Sequence, residues 1–216
     1  MKKKTQLLIG THNDGKFKEI SKLINKKIKK ISPKSLNIKA PKETGKSFRS
    51  NSELKANFFF KKSKLISLSD DSGLEILALN KKPGIYSARF AKQKGGFKKA
   101  MINIIQKLRK KNNRKARFIC SLSIKLNRTK IITAIGIING IISKKILGSK
   151  GFGYDPIFIP NNYKITFSQM SITQKMKIDH RSIAFKKLKK KIKILKIFYL
   201  KLYTSLILEQ TPHLKN

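Results

Sequence analysis

Acid is what this chain has least of. Its 216 residues carry 52 lysines and arginines against 10 aspartates and glutamates, for a formal net charge of +42. Cysteine is nearly missing as well. Cys120 stands alone, so no internal disulfide can form, and a reducing compartment is the simple expectation. Long apolar runs are absent too. The start, MKKKTQLLIGTHNDGK, has a basic lead, but its apolar run stops at Gly10. That is too short for the apolar region of a signal peptide or for a membrane span. These absences predict a soluble, cytoplasmic protein with no membrane partner. No internal repeat and no linker-like boundary divides the chain. With 39% hydrophobic residues, including 13 phenylalanines and five tyrosines, residues 1–216 are long enough to bury a proper core as a single domain.

The basic excess alone does not assign a function. A nucleic-acid-binding protein would carry such a charge, because phosphate contacts release counterions. Here, however, the lysines are spread along the whole chain rather than gathered in one tail. Lysine, isoleucine and asparagine are abundant together, as an A+T-rich genome writes wherever the fold tolerates it. The expectation is weak adhesion to polyanions and no specific nucleic-acid partner.

The scarce acids are more informative. Seven of the ten fall inside five short stretches: THNDGK (11–16), ETGKSFRSNSELK (43–55), DDSG (70–73), GFGYD (151–155) and KMKIDHR (175–181). Those stretches total 35 residues, about a sixth of the chain, where chance would place one or two acids. A carboxylate pair in so basic a chain asks for a job, and holding a divalent cation is the obvious one.

Periodicity and capping signals place these stretches on elements. TQLLIG predicts a first strand, and the following segment repeats Phe17, Ile20, Ile24 and Ile28 at helical spacing. THNDGK is therefore a strand-to-helix turn, whose free N–H groups suit a phosphate. It lacks the glycines of a P-loop or a dinucleotide fingerprint. Residues 47–64 predict a helix capped by Ser47, and LISLSDDSG a short strand ending in two acids and a turn. A helix over 95–111, two strands around Asn127 and Arg128, a capping box at SITQ (171–174) and a long basic amphipathic helix from Arg181 to Gln210 complete the pattern. The fold class is α/β, with a mixed sheet flanked by helices.

The two turns, THNDGK and DDSG, would lie side by side at the carboxyl ends of neighbouring strands, where open α/β sheets bind ligands. Lys16 offers a point charge for a phosphate, Asp70 and Asp71 suit a metal, and Ser72 adds a hydroxyl. Lys55 and Lys175 are further cations, and His180 with Arg181 suits a base edge or a phosphate. In GFGYDPIF (151–158) the glycines permit close backbone approach and Phe152 offers a stacking face, although rings at the head of a strand are equally core residues.

Seven pieces in order, LLIGTHNDGK, ETGKSFRSNSELKA, SDDSGLEILAL, PGIYSARFA, ARFICSL, GFGYDPIF and DHRSIAFKKL, resemble the pyrophosphatases of noncanonical purine nucleoside triphosphates. This is the RdgB-like inosine/xanthosine triphosphatase family. The resemblance implies a two-lobed inosine triphosphatase-like domain, a cytoplasmic homodimer and a Mg²⁺ cofactor. It implies a purine nucleoside triphosphate substrate, hydrolysis of ITP, dITP and XTP to the monophosphate and pyrophosphate, and a role in cleansing the nucleotide pool. Carried over by position, it implies that Thr11, His12, Asn13, Asp14, Gly15 and Lys16 form the nucleotide-binding turn. Asp71 becomes the general base and principal metal ligand, with Asp70 beside it and Glu43 as a further acid near the metal. Lys55 reaches the phosphates and Ser72 binds substrate. Phe152 stacks on the purine, and Gly153, Tyr154 and Asp155 belong to the same loop. Lys175, His180 and Arg181 complete the base pocket. Three positions depart from the family pattern: His12 for a glycine, Ser50 for an acid and Asp179 for a serine. The tail beyond about residue 195 is longer than the family norm. Two alternatives remain beside this reading: a Maf-like nucleotide pyrophosphatase of other specificity, and a basic nucleic-acid-binding protein.

Overall fold

The structure, a computed structural model, describes residues 6–208, with side chains through residue 195. Among these, seven strands form one mixed sheet. β1 (Gln6–Ile9), β2 (Lys29–Ile31), β3 (Ser67–Ile76), β5 (Lys115–Lys125), β6 (Ile131–Ile142) and β7 (Phe158–Pro160) lie in the order β2-β1-β3-β5-β6-β7, with the two-residue β4 (Lys82–Pro83) against the end of β3. β2, β1 and β3 are parallel, and every other pairing is antiparallel. Helices α1 (Asp14–Leu23), α2 (Phe48–Ser63), α3 (Ser87–Gln93), α4 (Phe97–Lys107), α5 (Ile172–Ile178) and α6 (His180–Leu208) flank the sheet. The α/β expectation holds.

The helix starts follow from local chemistry. Asn13 caps α1 by accepting the Lys16 amide at 3.0 Å. Ser47 and Ser50 form a reciprocal capping box at α2, each side chain accepting the other's backbone N–H at 3.0 Å. Ser50, one of the departures from the family pattern, thus performs the N3 half of that box. Ser171 and Gln174 cap α5 in the same way. Asp179 both ends α5 and opens α6, its Oδ1 accepting the Ser182 amide at 2.7 Å. At Gly136 of β6, an added Cβ would collide with the His180 carbonyl and the Ala184 amide, so only glycine lets the start of α6 lie this close to the sheet.

Two expectations need correction. β3 does not turn at the acid pair but runs on through Asp70, Asp71, Ser72 and Gly73 to Ile76, paired throughout with β5. Each acid has its own cation and so tolerates the strand interior. β1 does end beside them, since Ile9 is in register with Leu68. The acids therefore flank the THNDGK turn from mid-strand rather than from a strand end. α1 stops at Leu23 rather than running on to Ile28, because the chain must reverse to lay β2 parallel to β1; Ile28 still packs on the core. The long helix expected over 181–210 is α6, which runs to Leu208 among the described residues, while 209–216 lie outside them.

Strand alternation gives the sheet two unlike faces. On one, Leu68, Cys120, Leu122, Ile124, Ile132 and Ala134 pack against Ile20, Ala184 and Leu188 of α1 and α6. On the other, α2 meets Ser121, Ser123 and Thr133 through hydroxyl contacts. A second apolar cluster joins Leu74, Ile76 and Phe118 to α4, Tyr154, Phe158 and Phe167.

Candidate active site

Because successive strand residues face opposite ways, Asp70 and Asp71 do not act as a joined pair. Asp71 faces α2. Asn51 donates to its Oδ2 at 3.2 Å, and the Lys55 ammonium lies 3.4 Å from Oδ1 and 2.6 Å from Glu43 Oε1. Asn51 also accepts the Gly45 amide at 2.8 Å, which ties the loop carrying Glu43 to the same helix. Asp70 faces the other way. Lys16 lies 2.9 Å from its Oδ2, and Ser72 donates to the same oxygen at 3.0 Å. Burial would raise the Asp70 carboxyl, but Lys16, Lys55 and Arg181 together hold it below the usual carboxylate range. At Asp71 the balance reverses. Burial, helped by Glu43 and Asp70, pushes its carboxyl up despite Lys55 and Lys16. Lys55 serves three carboxylates at once and is held more basic than an ordinary lysine in spite of its burial.

Asp71 and Glu43 are hard oxygen donors converging on one cation, and Asp71 is under-compensated, so the residues present fit a divalent ion. Among the described residues no group of three or more His, Cys, Asp or Glu side chains stands ready to hold one alone. Two carboxylates suit Mg²⁺, which commonly completes its octahedron with water and substrate phosphate.

The opposite wall is built by the GFGYD loop and the first turn of α6. Gly151 and Gly153 take left-handed φ values of 77° and 68°. Phe152 lies against Gly15, where an added Cβ would come within 2.6 Å of its ring. Lys175 Nζ and Arg181 Cζ stand 5.2 and 5.0 Å from that ring's centroid. Asp155 accepts from the Phe152 amide at 3.0 Å and from Lys175 at 2.5 Å. His180 stacks on Phe118, with centroids 4.8 Å apart and planes 9° from parallel. Both His180 ring nitrogens and the Arg181 Nε are buried without a hydrogen-bond partner. Burial first, then Arg181, Lys175 and Lys16, keeps His180 neutral.

One cleft joins the two walls. It is lined by Asn13, Lys16, Glu43, Asp71 and Ser72 on one side, and by Phe152, Gly153, Tyr154, Asp155, His180 and Arg181 on the other. Not every expected residue faces it. Asp14 is exposed and paired with Lys34 at 2.7 Å. Thr11 accepts the Asn13 amide at 3.2 Å and so shapes the turn. His12 turns to the Ile38 carbonyl at 3.0 Å and lies near Phe59 rather than crowding the turn. Tyr154, although it borders the cleft, is mainly a core ring whose hydroxyl donates to the Ser87 carbonyl at 2.9 Å.

Two residues escape the sequence reading. Glu19 of α1 lies outside the acid-bearing stretches, yet it bridges Lys175 and Arg181 at 2.8 Å each. Its one signal is being an acid on the inner side of α1, three residues after Lys16. Asn51 sits inside a singled-out stretch but bears no charge, so nothing in its type points to a carboxylate partner.

The chain is similar to known proteins in sequence and in fold. A sequence profile of the Ham1 family matches residues 7–191. The dITP/XTP pyrophosphatase of Christiangramia forsetii is 38% identical over 186 residues, 85% of this chain and 96% of that protein. The dITP/XTP pyrophosphatase of Bartonella henselae is 41% identical over 198 residues, covering 84% and 92%. Solved structures of Ham1 proteins from Staphylococcus aureus and Coxiella burnetii superpose with TM-scores of 0.78 and 0.79 at 31% and 29% identity. Each covers 88% of this chain and 98% of its own. With the match running from β1 into α6, and so across both walls of the cleft, the chain belongs to the Ham1 family.

Proposed function

We propose that this protein is a Mg²⁺-dependent pyrophosphatase of ITP, dITP and XTP, releasing the nucleoside monophosphate and pyrophosphate and clearing deaminated purines from the nucleotide pool. The observation that carries this reading is the set of unpartnered buried nitrogens of His180 and Arg181 in the cleft that also exposes Asp71. Buried polar nitrogens without partners cost stability unless a ligand satisfies them. Arg181 Nε and the single N–H of the neutral His180 are donors, which the six-keto oxygen of hypoxanthine or xanthine accepts, whereas the six-amino group of adenine brings a donor to the Arg181 donor.

Asp71 takes the proton of the attacking water, and the anhydride between the α and β phosphates breaks with pyrophosphate leaving. Asn51 holds the carboxylate oxygen that is not turned to Lys55. Lys16 and Lys55 supply positive charge toward the phosphates, and Ser72 contacts substrate at the cleft floor. Asp71 and Glu43 would hold Mg²⁺, which supplies charge neutralisation for the triphosphate. Asp70, on the far side of β3, orients Lys16. Phe152 offers the purine a ring face. A cytoplasmic homodimer belongs to the same proposal; no helix among the described residues is long and apolar enough to cross a membrane. The Maf-like alternative loses ground to the Ham1 match over residues 7–191.

A panel of nucleoside triphosphates assayed for pyrophosphate release tests the reading. ITP, dITP and XTP should turn over with Mg²⁺ and stop with a chelator, while ATP and GTP lag far behind. Asp71→Asn should lose about 10²–10⁴-fold in rate while melting like the wild type. Pyrophosphate release that is equal for ATP and ITP, or that survives in Asp71→Asn, would overturn it.

A further inference from the structure

We propose that a buried chain of hydroxyls, Ser121–Ser52–Ser123–Thr133, ending on Glu53, positions α2 for catalysis and so makes Ser52 and Thr133 positioning residues of this reaction. The inference rests on the reading of Asp71 as the base.

A helix lying on a sheet normally buries an apolar stripe. At the centre of this contact α2 instead buries Ser52 against Ser121 and Ser123, and all three are fully excluded from solvent. Ser52 Oγ stands 2.8 Å from Ser121 Oγ and 2.7 Å from Ser123 Oγ. Ser123 Oγ stands 2.8 Å from Thr133 Oγ1, which donates to Glu53 Oε1 at 2.8 Å. Arg49 anchors the same carboxylate oxygen at 2.8 Å. The chain thus leaves α2 at Ser52, crosses β5 and β6, and returns to α2 at Glu53.

The carboxylate sets the sense of the whole chain. It only accepts, so Thr133 spends its single hydrogen on Glu53. Ser123 must then donate to Thr133, Ser52 must share its hydrogen with Ser123 as well as the Arg49 carbonyl, and Ser121 must donate to Ser52. None of these hydroxyls is among the buried polar atoms that lack a partner. A closed, ordered chain of this kind is directional, unlike an apolar contact, and so resists rotation and sliding of the helix.

Rotation is what the site cannot tolerate. Asn51 and Lys55, one turn apart on α2, reach Asp71, which is in register with Ser121 on the neighbouring strand. The clamp therefore sits one residue along the helix and one strand across the sheet from the base. Displacing a reacting group by 1 Å can cost about 10²-fold in rate. The base-binding wall, formed by the GFGYD loop and α6, is built from other elements than α2. Loosening α2 should consequently lower kcat far more than it raises KM, to which α2 contributes only through the Lys55 charge.

The test compares Ser52→Ala, Thr133→Val and Thr133→Ser in dITP turnover with Mg²⁺, well below the melting temperature of each. Thr133→Val keeps the shape and removes the hydroxyl; Thr133→Ser keeps the hydroxyl and removes a methyl. Ser52→Ala and Thr133→Val should lower kcat by about 10-fold with KM within about 2-fold of wild type, the signature of imperfect positioning. Thr133→Ser should recover most of kcat. Wild-type kcat in both deletions, a change confined to KM, or a Thr133→Ser as impaired as Thr133→Val would overturn the proposal. If Ser52→Ala does not fold, the Thr133 pair decides alone. Asp71→Asn, run alongside, separates the two ideas: activity there sinks the assignment of the base, whereas intact kcat in the hydroxyl variants sinks only the clamp.

Discussion

Phe152 and the pair His180–Arg181 share one wall, and on the proposed reading they meet different parts of the purine, so their substitutions should separate. A ring face is common to every purine. Phe152→Ala should therefore weaken ITP and ATP alike, by the roughly 1–3 kcal/mol typical of base–aromatic stacking. Replacing His180 or Arg181 should instead shrink the preference for ITP over ATP, because the proposed reading gives their nitrogens to the keto oxygen. Calorimetric titration in Ca²⁺, chosen to suppress turnover, measures both. Equal affinity of the wild type for the two nucleotides would rule out this division of labour. Arg181 has a further constraint: Glu19 holds its Nη1 at 2.8 Å and Ser72 accepts from its Nη2 at 3.1 Å. With Asp70 Oδ2 also 4.0 Å from its Nε, the guanidinium is held in place and arrives preorganised rather than searching for the base.

The element that delivers those residues is α6, and its first turn hangs on Asp179. Burial, and after it the nearby Glu19 charge, raise the Asp179 carboxyl even though the Ser182 amide favours the ionised form. A carboxyl raised on folding holds its proton more tightly in the native state than in the unfolded chain. Its charge therefore costs stability as pH rises from the ordinary value of 3.8 through the raised one. Serine caps helices comparably without a charge. Asp179→Ser should thus match or exceed wild-type stability at pH 7 and lose that advantage near pH 4. Asp179→Ala loses the cap, about 1 kcal/mol, or about 2–4 °C in Tm for a chain of this size. Thermal melts across pH check both; an Asp179→Ser less stable than the alanine variant at pH 7 would refute the capping account. Caps of this sort are also why the elements were legible in the sequence. Ser47, Ser171 and the periodic apolar residues of α4 depend only on near neighbours. β2 and β4, three and two residues long, carry no such pattern and exist because a neighbouring strand recruits them. The course of β3 through Asp70 and Asp71 was hidden for the same reason, since the cations that permit it, Lys16 and Lys55, come from other elements. In the site, residue types and spacing pointed to Asp71, Phe152, His180 and Arg181. Glu19 and Asn51 emerge only once α1 and α2 are docked.

At the scale of the whole molecule, the acids among the described residues are already committed. Asp14, Glu19, Glu43, Glu53, Asp70, Asp71, Glu75 and Asp155 each sit in an ion pair, and Asp179 caps a helix. Ten acids cannot balance 52 basic residues, so the surface is left with a large positive excess. Such a charge repels itself in the compact state and attracts any polyanion. The two consequences respond to salt in opposite ways. The Debye length falls from about 10 Å at 0.1 M to about 3 Å at 1 M, which screens surface repulsion far more than the buried pairs around Asp70, Asp71 and Arg181. Tm should therefore rise between 0.05 and 0.5 M KCl, while retention on DNA or heparin should fall steeply and without sequence preference, as counterion release requires. Turnover of dITP at fixed Mg²⁺ should be inhibited by added DNA at low salt and recover at high salt, because the polyanion competes for the basic surface rather than for the base pocket. A Tm that falls with salt would mean that ion pairs, not repulsion, dominate the stability of this chain. DNA binding that persists at 0.5 M KCl with sequence preference would mean that the charge serves a nucleic-acid partner after all.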